Sequence, residues 1–207
     1  MSDLNPAIGR VLRASTVGFA VGSRVNQLSA PAFGSLVRAE PIGGGEAIYG
    51  LIYDMVISDD PLVQRLVMND SPPPAVIEDQ RSNRLLPIEM SVLAVGYELA
   101  GELTHALPPR PPLNLDPVFL LNDAADVTGF TMEAGYLRLV LRAAGLVPVD
   151  QLLVAHVRQV FELRGEDHAW ALGIIDELAA LLRNDYDLLV PLIEALSVAL
   201  PALEHIA

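Results

Sequence analysis

The chain has 207 residues, no cysteine and a formal charge of −13, and all 13 of its basic residues are arginines. Without cysteine there is neither a disulfide framework nor a thiolate site, so a reducing cytoplasm is the expected compartment; without lysine, phosphate-loop ATPases, Schiff-base aldolases and pyridoxal enzymes are excluded. Eight arginines against thirteen acids up to Asn122 leave −5, and five against thirteen beyond it leave −8; neither half offers a footprint for a phosphate backbone, and direct nucleic-acid binding is not expected.

The front half reads as strands. Ile8 to Ala14 alternates loosely, Val17 to Val21 is short and apolar, and Gly34 to Ala39 follows a turn signal at Pro31 and Gly34. Ile42-Gly43-Gly44-Gly45-Glu46 then makes a hairpin loop into Ala47–Ile57, a nearly continuous apolar run that suits a strand covered on both faces. Ile88 to Tyr97 is long enough to curl around a barrel, with Gly96 as its bend or bulge. Short strands punctuated by glycine and proline favour a closed or nearly closed sheet. The proline loops Ser71 to Pro74 and Pro108 to Pro112, the latter carrying Arg110, are either stiff connectors or polyproline ligands for an aromatic groove.

Beyond this half the apolar period becomes helical. Helices are expected from Thr131 to Ala144, from a cap at Asp150 to before Gly165, from about Asp167 to Arg183, and from Asn184 or Asp185 onward, with Pro191 in the first turns. The second buries Leu152, Leu153, His156, Val157, Val160 and Phe161 on one face; the third places Leu172, Ile175, Leu178 and Leu182 on one stripe. The resulting fold class is α+β: a small N-terminal β-barrel over residues 1–122, then a C-terminal α-helical bundle or arm over residues 123–207.

Mean hydropathy is +0.39, yet the most apolar stretch, Leu188 to Ala202, is interrupted by Pro191, Glu194 and Pro201, and Met1 to Ile8 is too polar for a signal sequence. No membrane segment is expected, and the surplus apolar surface points to burial against a partner or a second copy.

Catalytic signatures are absent from the sequence. Gly43-Gly44-Gly45 lacks the Gly-Lys-Ser/Thr of a phosphate cradle, and there is no Gly-x-Ser-x-Gly elbow. Glu102-Leu103-Thr104-His105 has a spacing that puts two ligands on one helix face, but a di-iron site needs a second such pair and further glutamates. His156 reads as a core histidine with one hydrogen bond. No metal and no cofactor are expected. An enzyme site at the junction of barrel and helices, using Asp54, Asp59 or His156, is the alternative from another class.

One ordered set of segments goes further: Ile8-Gly9-Arg10-Val11, Ser15-Thr16, Phe19, Pro31-Ala32-Phe33-Gly34-Ser35-Leu36-Val37, Ile48 to Asp54, and Ile57-Ser58-Asp59-Asp60-Pro61-Leu62-Val63. In this order they resemble the HAS-barrel, the N-terminal β-barrel of HerA-type DNA translocases, related to the barrel of rotary ATP synthase subunits. Val92 to Tyr97 and the Pro108 to Pro112 loop fit that domain's second half. The resemblance covers about the first 120 residues and stops where the translocases continue into an ATPase with a phosphate-loop lysine, which this chain lacks. It implies a non-enzymatic docking or adaptor role in a DNA-processing complex, with a HerA-type ATPase or NurA-type nuclease as partner. The acidic corner Asp59-Asp60-Pro61 and Arg110 are the partner-binding residues expected on this reading, the corner having a helix cap and solvated turn as its plainer role. Phe33, Tyr49 and Tyr53 are read as barrel core, with interface anchors as the alternative. A self-assembling scaffold is the third reading.

Overall fold

The computed structural model describes residues 7–25, 31–57, 61–68, 73–83 and 86–200. The strands are β1 (Gly9–Ala14), β2 (Gly18–Val25), β3 (Leu36–Ala39), β4 (Ala47–Ile57), β5 (Leu86–Leu99), β6 (Glu102–Thr104) and β7 (Pro117–Leu120). Two short helices, α1 (Pro61–Val67) and α2 (Pro74–Asn83), are inserted between β4 and β5. After β7 come α3 (Ala124–Thr131), a single 3-10 turn at Ala134–Tyr136, α4 (Leu137–Arg142), α5 (Val149–Leu163), α6 (His168–Leu181) and α7 (Tyr186–Ala199).

Six strands close an antiparallel barrel in the order β2-β1-β7-β3-β4-β5, with β2 pairing back onto β5; β6 folds against β5 as a short hairpin. Closure satisfies the backbone groups that an open sheet leaves along its edges. Sequence periodicity gives no warning of β7, which is only four residues long and begins with a proline. It completes the ring by setting Val118 opposite both Gly9 of β1 and Ala39 of β3. Proline is tolerated there because the first residue of a strand can dispense with its N–H.

The long β4–β5 pair explains why Ala47–Ile57 reads as apolar throughout. Ile48 and Ile52 face the barrel interior with Val11, Val37, Met90 and Val118, whereas Tyr49 and Leu51 face outward into a second core made with the helices. Both faces are therefore buried, as the sequence implies. The expected bulge is real but falls beside Gly96: Tyr49 pairs with Gly96 and Gly50 with Ala94, so Val95 is the extra residue. Gly96 is needed for close packing, since a Cβ there would lie 3.2 Å from the Phe130 ring and 3.1 Å from the Thr104 carbonyl.

The helical region differs from expectation in three places. The helix expected over Thr131 to Ala144 is two helices and a turn, because Asp123 caps α3 seven residues earlier by accepting from Ala125 N at 2.8 Å. The chain breaks after Thr131, whose carbonyl accepts from the Trp170 indole at 2.9 Å, and Glu133 is extended before the turn resumes. Asp150 lies inside the first turn of α5, and Pro148 occupies the cap without a side-chain bond. On α6 the buried residues are Ala171, Ile174 and Leu178, while Leu172 is 45% exposed; the stripe is rotated by one residue at its start. The remaining assignments agree: α5 buries all six expected residues, Asp167 caps α6, and Asp185 caps α7.

Barrel and helices share one core. Leu36, Leu51, Leu93 and Val95 from the strands pack with Phe130, Leu137, Leu152 and further helical side chains in a single cluster. The change from strand to helix falls at Asn122 and Asp123, but no solvent layer divides the two parts there.

Candidate docking surfaces

The junction between barrel and helices is held by hydrogen bonds from α5 to the turn before β3. His156 is fully buried, with Nδ1 3.1 Å from the Gly34 carbonyl and Nε2 3.1 Å from the Tyr136 hydroxyl. A carbonyl can only accept, so Nδ1 carries the proton and Nε2 accepts from Tyr136. Burial pushes the imidazole pKa down to about 4, and burial likewise raises that of the Tyr136 hydroxyl. One turn further along α5, Gln159 donates to the Phe33 carbonyl at 2.6 Å and accepts from the Ser35 hydroxyl at 2.9 Å. Phe33-Gly34-Ser35, part of the motif that carries the resemblance, is thus the seat of α5, a role invisible in the sequence. Gly34 permits the contact: its φ is +85°, and a Cβ would meet both Ala155 and the His156 amide at 2.9 Å.

Of the acids that the alternative enzyme reading names, Asp54 does not join these side chains. Asp54 is exposed on β4, where its carboxylate accepts from the Met55 amide at 2.9 Å, and it does not line the small cavity of about 80 Å³ that His156 borders. Asp59 lies outside the described residues. Glu102 belongs to strand β6 and His105 to the turn after it, so their spacing does not set them on one helix face. Instead His105 Nε2 donates to the Phe130 carbonyl at 3.1 Å, and the ring packs edge-on to Phe130 and Tyr136; burial lowers its pKa. Among the described residues no group of three or more potential ligands could hold a metal ion, and no helix is long and apolar enough to cross a membrane.

Of the residues expected to bind a partner, Asp59 and Asp60 lie outside the described residues, and Pro61 is the exposed first residue of α1. Arg110 is 74% exposed at its side chain but is already engaged: it pairs with Glu46 at 2.9 Å, holding that carboxyl below the usual carboxylate range and pinning the proline loop to the β3–β4 hairpin. Tyr49 is core, stacked on Phe130 at 4.8 Å with its hydroxyl donating to Glu98 at 2.8 Å; Phe33 and Tyr53 are half-buried.

Two surfaces stand out that the sequence does not single out. The first is the β4–β5 insertion. No described side chain of α1 or α2 is buried, and Val56, Ile57, Val67 and Met68 around them are 53%, 51%, 76% and 84% exposed. The second is a cleft between the barrel and the α4 region, in two lobes of about 500 Å³ each that share Val17, Leu93 and Leu146. One lobe has Arg13 and Tyr53 in its wall, the other His105, Arg138 and Arg142. The strand irregularities serve the first lobe: the β1–β2 register shifts between Val11 and Arg13, and the β4–β5 register between Ile52 and Asp54, so Arg13 and Tyr53 are both set at bulges.

No family model matches this chain, and no curated protein matches it either.

Proposed function

We propose that the chain is a non-enzymatic docking protein, a HAS-like barrel without a motor that joins other proteins in a DNA-processing complex in a reducing cytoplasm. The observation that carries this reading is the β4–β5 insertion. Helices of 7 and 10 residues are marginal in water without an apolar face packed on something. Here α1 and α2 bury no described side chain in their own core, and aliphatic groups lie exposed at their base. Such a surface is what a partner covers. Helix α1 begins at Pro61, the last residue of the acidic corner in the segment that resembles HerA-type barrels. The junction histidine, glutamine and serine are spent on seating α5, which fits a scaffold better than a catalytic site.

The test is affinity purification of the tagged full chain from its own cell after mild crosslinking, with mass spectrometry of the products. A HerA-type ATPase or NurA-type nuclease crosslinked through residues of the insertion is the expected result. Crosslinks only between copies of the chain would overturn it and favour the second reading, self-assembly. That reading has its own observation: Tyr186, Val190 and Val198 of α7 are 67%, 49% and 80% exposed.

A further inference from the structure

The cleft beside α4 differs in charge from the rest of the molecule. The chain carries 26 acids against 13 arginines, yet among the described residues the two lobes are lined by three arginines and one histidine and by no aspartate or glutamate. Between these cations the floor is apolar, built from Phe19, Val92, Leu93 and Leu139, with Leu146 exposed at the rim. We infer that this cleft binds an acidic, amphipathic peptide segment of a protein partner, with carboxylates set toward the arginines and aliphatic side chains on the floor.

The cations are available to a ligand. Arg142 is exposed and forms no ion pair or hydrogen bond with any described residue. Arg138 shares Glu177 at 3.3 Å and Arg13 shares Glu89 at 2.5 Å, each with its side chain at least 60% exposed. Exposed pairs of this kind are worth little, so an incoming carboxylate displaces their partners at small cost. His105, beside Glu133, spends Nε2 on the Phe130 carbonyl, and burial lowers its pKa; in the neutral ring Nδ1 is an acceptor for a peptide N–H. The two open lobes meet at Val17, Leu93 and Leu146, so one extended run of residues can lie across both. A segment with the chain's own sign of charge is otherwise repelled by the molecule, so the cleft also selects where an acidic partner can dock.

This inference rests on the docking reading and names the chemistry of the segment received. The test uses the full chain and a fluorescein-labelled octapeptide alternating aspartate with leucine, followed by fluorescence anisotropy. Saturable binding is expected, weakening as salt is raised and falling about tenfold or more in Arg138→Glu/Arg142→Glu. Arg158→Glu, which alters an exposed arginine of α5 outside the cleft, is expected to retain it. Absence of binding, or equal loss in both variants, overturns the inference. Displacement of the peptide by millimolar phosphate or by dodecanoate alone, with no preference for the acidic over a lysine-leucine octapeptide, assigns the cleft to small anions or lipids and overturns it too. If a purified partner still binds the double arginine variant with wild-type affinity, the cleft assignment fails while the docking function stands. If no partner binds the wild type, the docking function itself fails.

Discussion

At the scale of single residues, His156 and Gly34 determine how the helical half meets the barrel. The imidazole is neutral in the fold, with its pKa held at about 4 against an ordinary 6.5. Between those values the unfolded chain binds a proton that the folded chain does not, so this contribution to stability is complete above about pH 6.5 and is lost as the pH falls toward 4. Its full loss is about 3 kcal/mol. Urea titrations of wild type and His156→Gln at pH 7.5, 6 and 5 are expected to show a gap in midpoint that narrows on acidification; a constant gap would contradict the assignment. Gly34→Ala combines a positive φ with two contacts at 2.9 Å, one of them to backbone, and is expected to cost more than about 1 kcal/mol in the same assay. The sequence marks His156 as a core residue because it lies on an apolar helix face. It does not show that both ring nitrogens are bonded, since Gly34 and Tyr136 come from other parts of the chain.

Elements were legible where local pattern and tertiary environment agree. Ala47–Ile57 and the buried face of α5 are read correctly because the positions their surroundings bury are apolar, His156 excepted. The failures have physical causes. Strand β7 is too short to show a period, the break after Thr131 depends on an indole 39 residues away, and the rotation of the α6 stripe depends on which neighbours it meets. The arginines of the cleft carry no sequence signal at all, since Arg13 and Arg138 meet one cleft only after folding. Core and insertion are expected to respond in opposite ways to substitution. Leu152→Ala removes a fully buried side chain from the shared core and should destabilise by about 2–5 kcal/mol in urea. Val67→Ser/Met68→Ser alters exposed groups and should change stability by less than about 1 kcal/mol, yet weaken partner binding.

At the scale of the whole molecule, barrel and helices share one core and are expected to unfold as one body. Leu36, Leu51, Leu93 and Val95 reach full burial only against helical side chains, so residues 1–122 expressed alone leave that face bare. The expected outcome is a fragment that binds the dye ANS and lacks a sharp thermal transition, while the full chain unfolds in a single step followed equally by far-UV circular dichroism and Trp170 fluorescence. Two separated transitions in the full chain would show instead that the halves are independent. The central claim, that this body works by docking, is tested most directly by sedimentation velocity of the purified chain mixed in turn with the HerA-type translocase and the NurA-type nuclease of the same cell. A faster boundary containing both proteins, reduced by Val67→Ser/Met68→Ser, is the predicted result. Boundaries that stay at the positions of the separate components in both mixtures would contradict it.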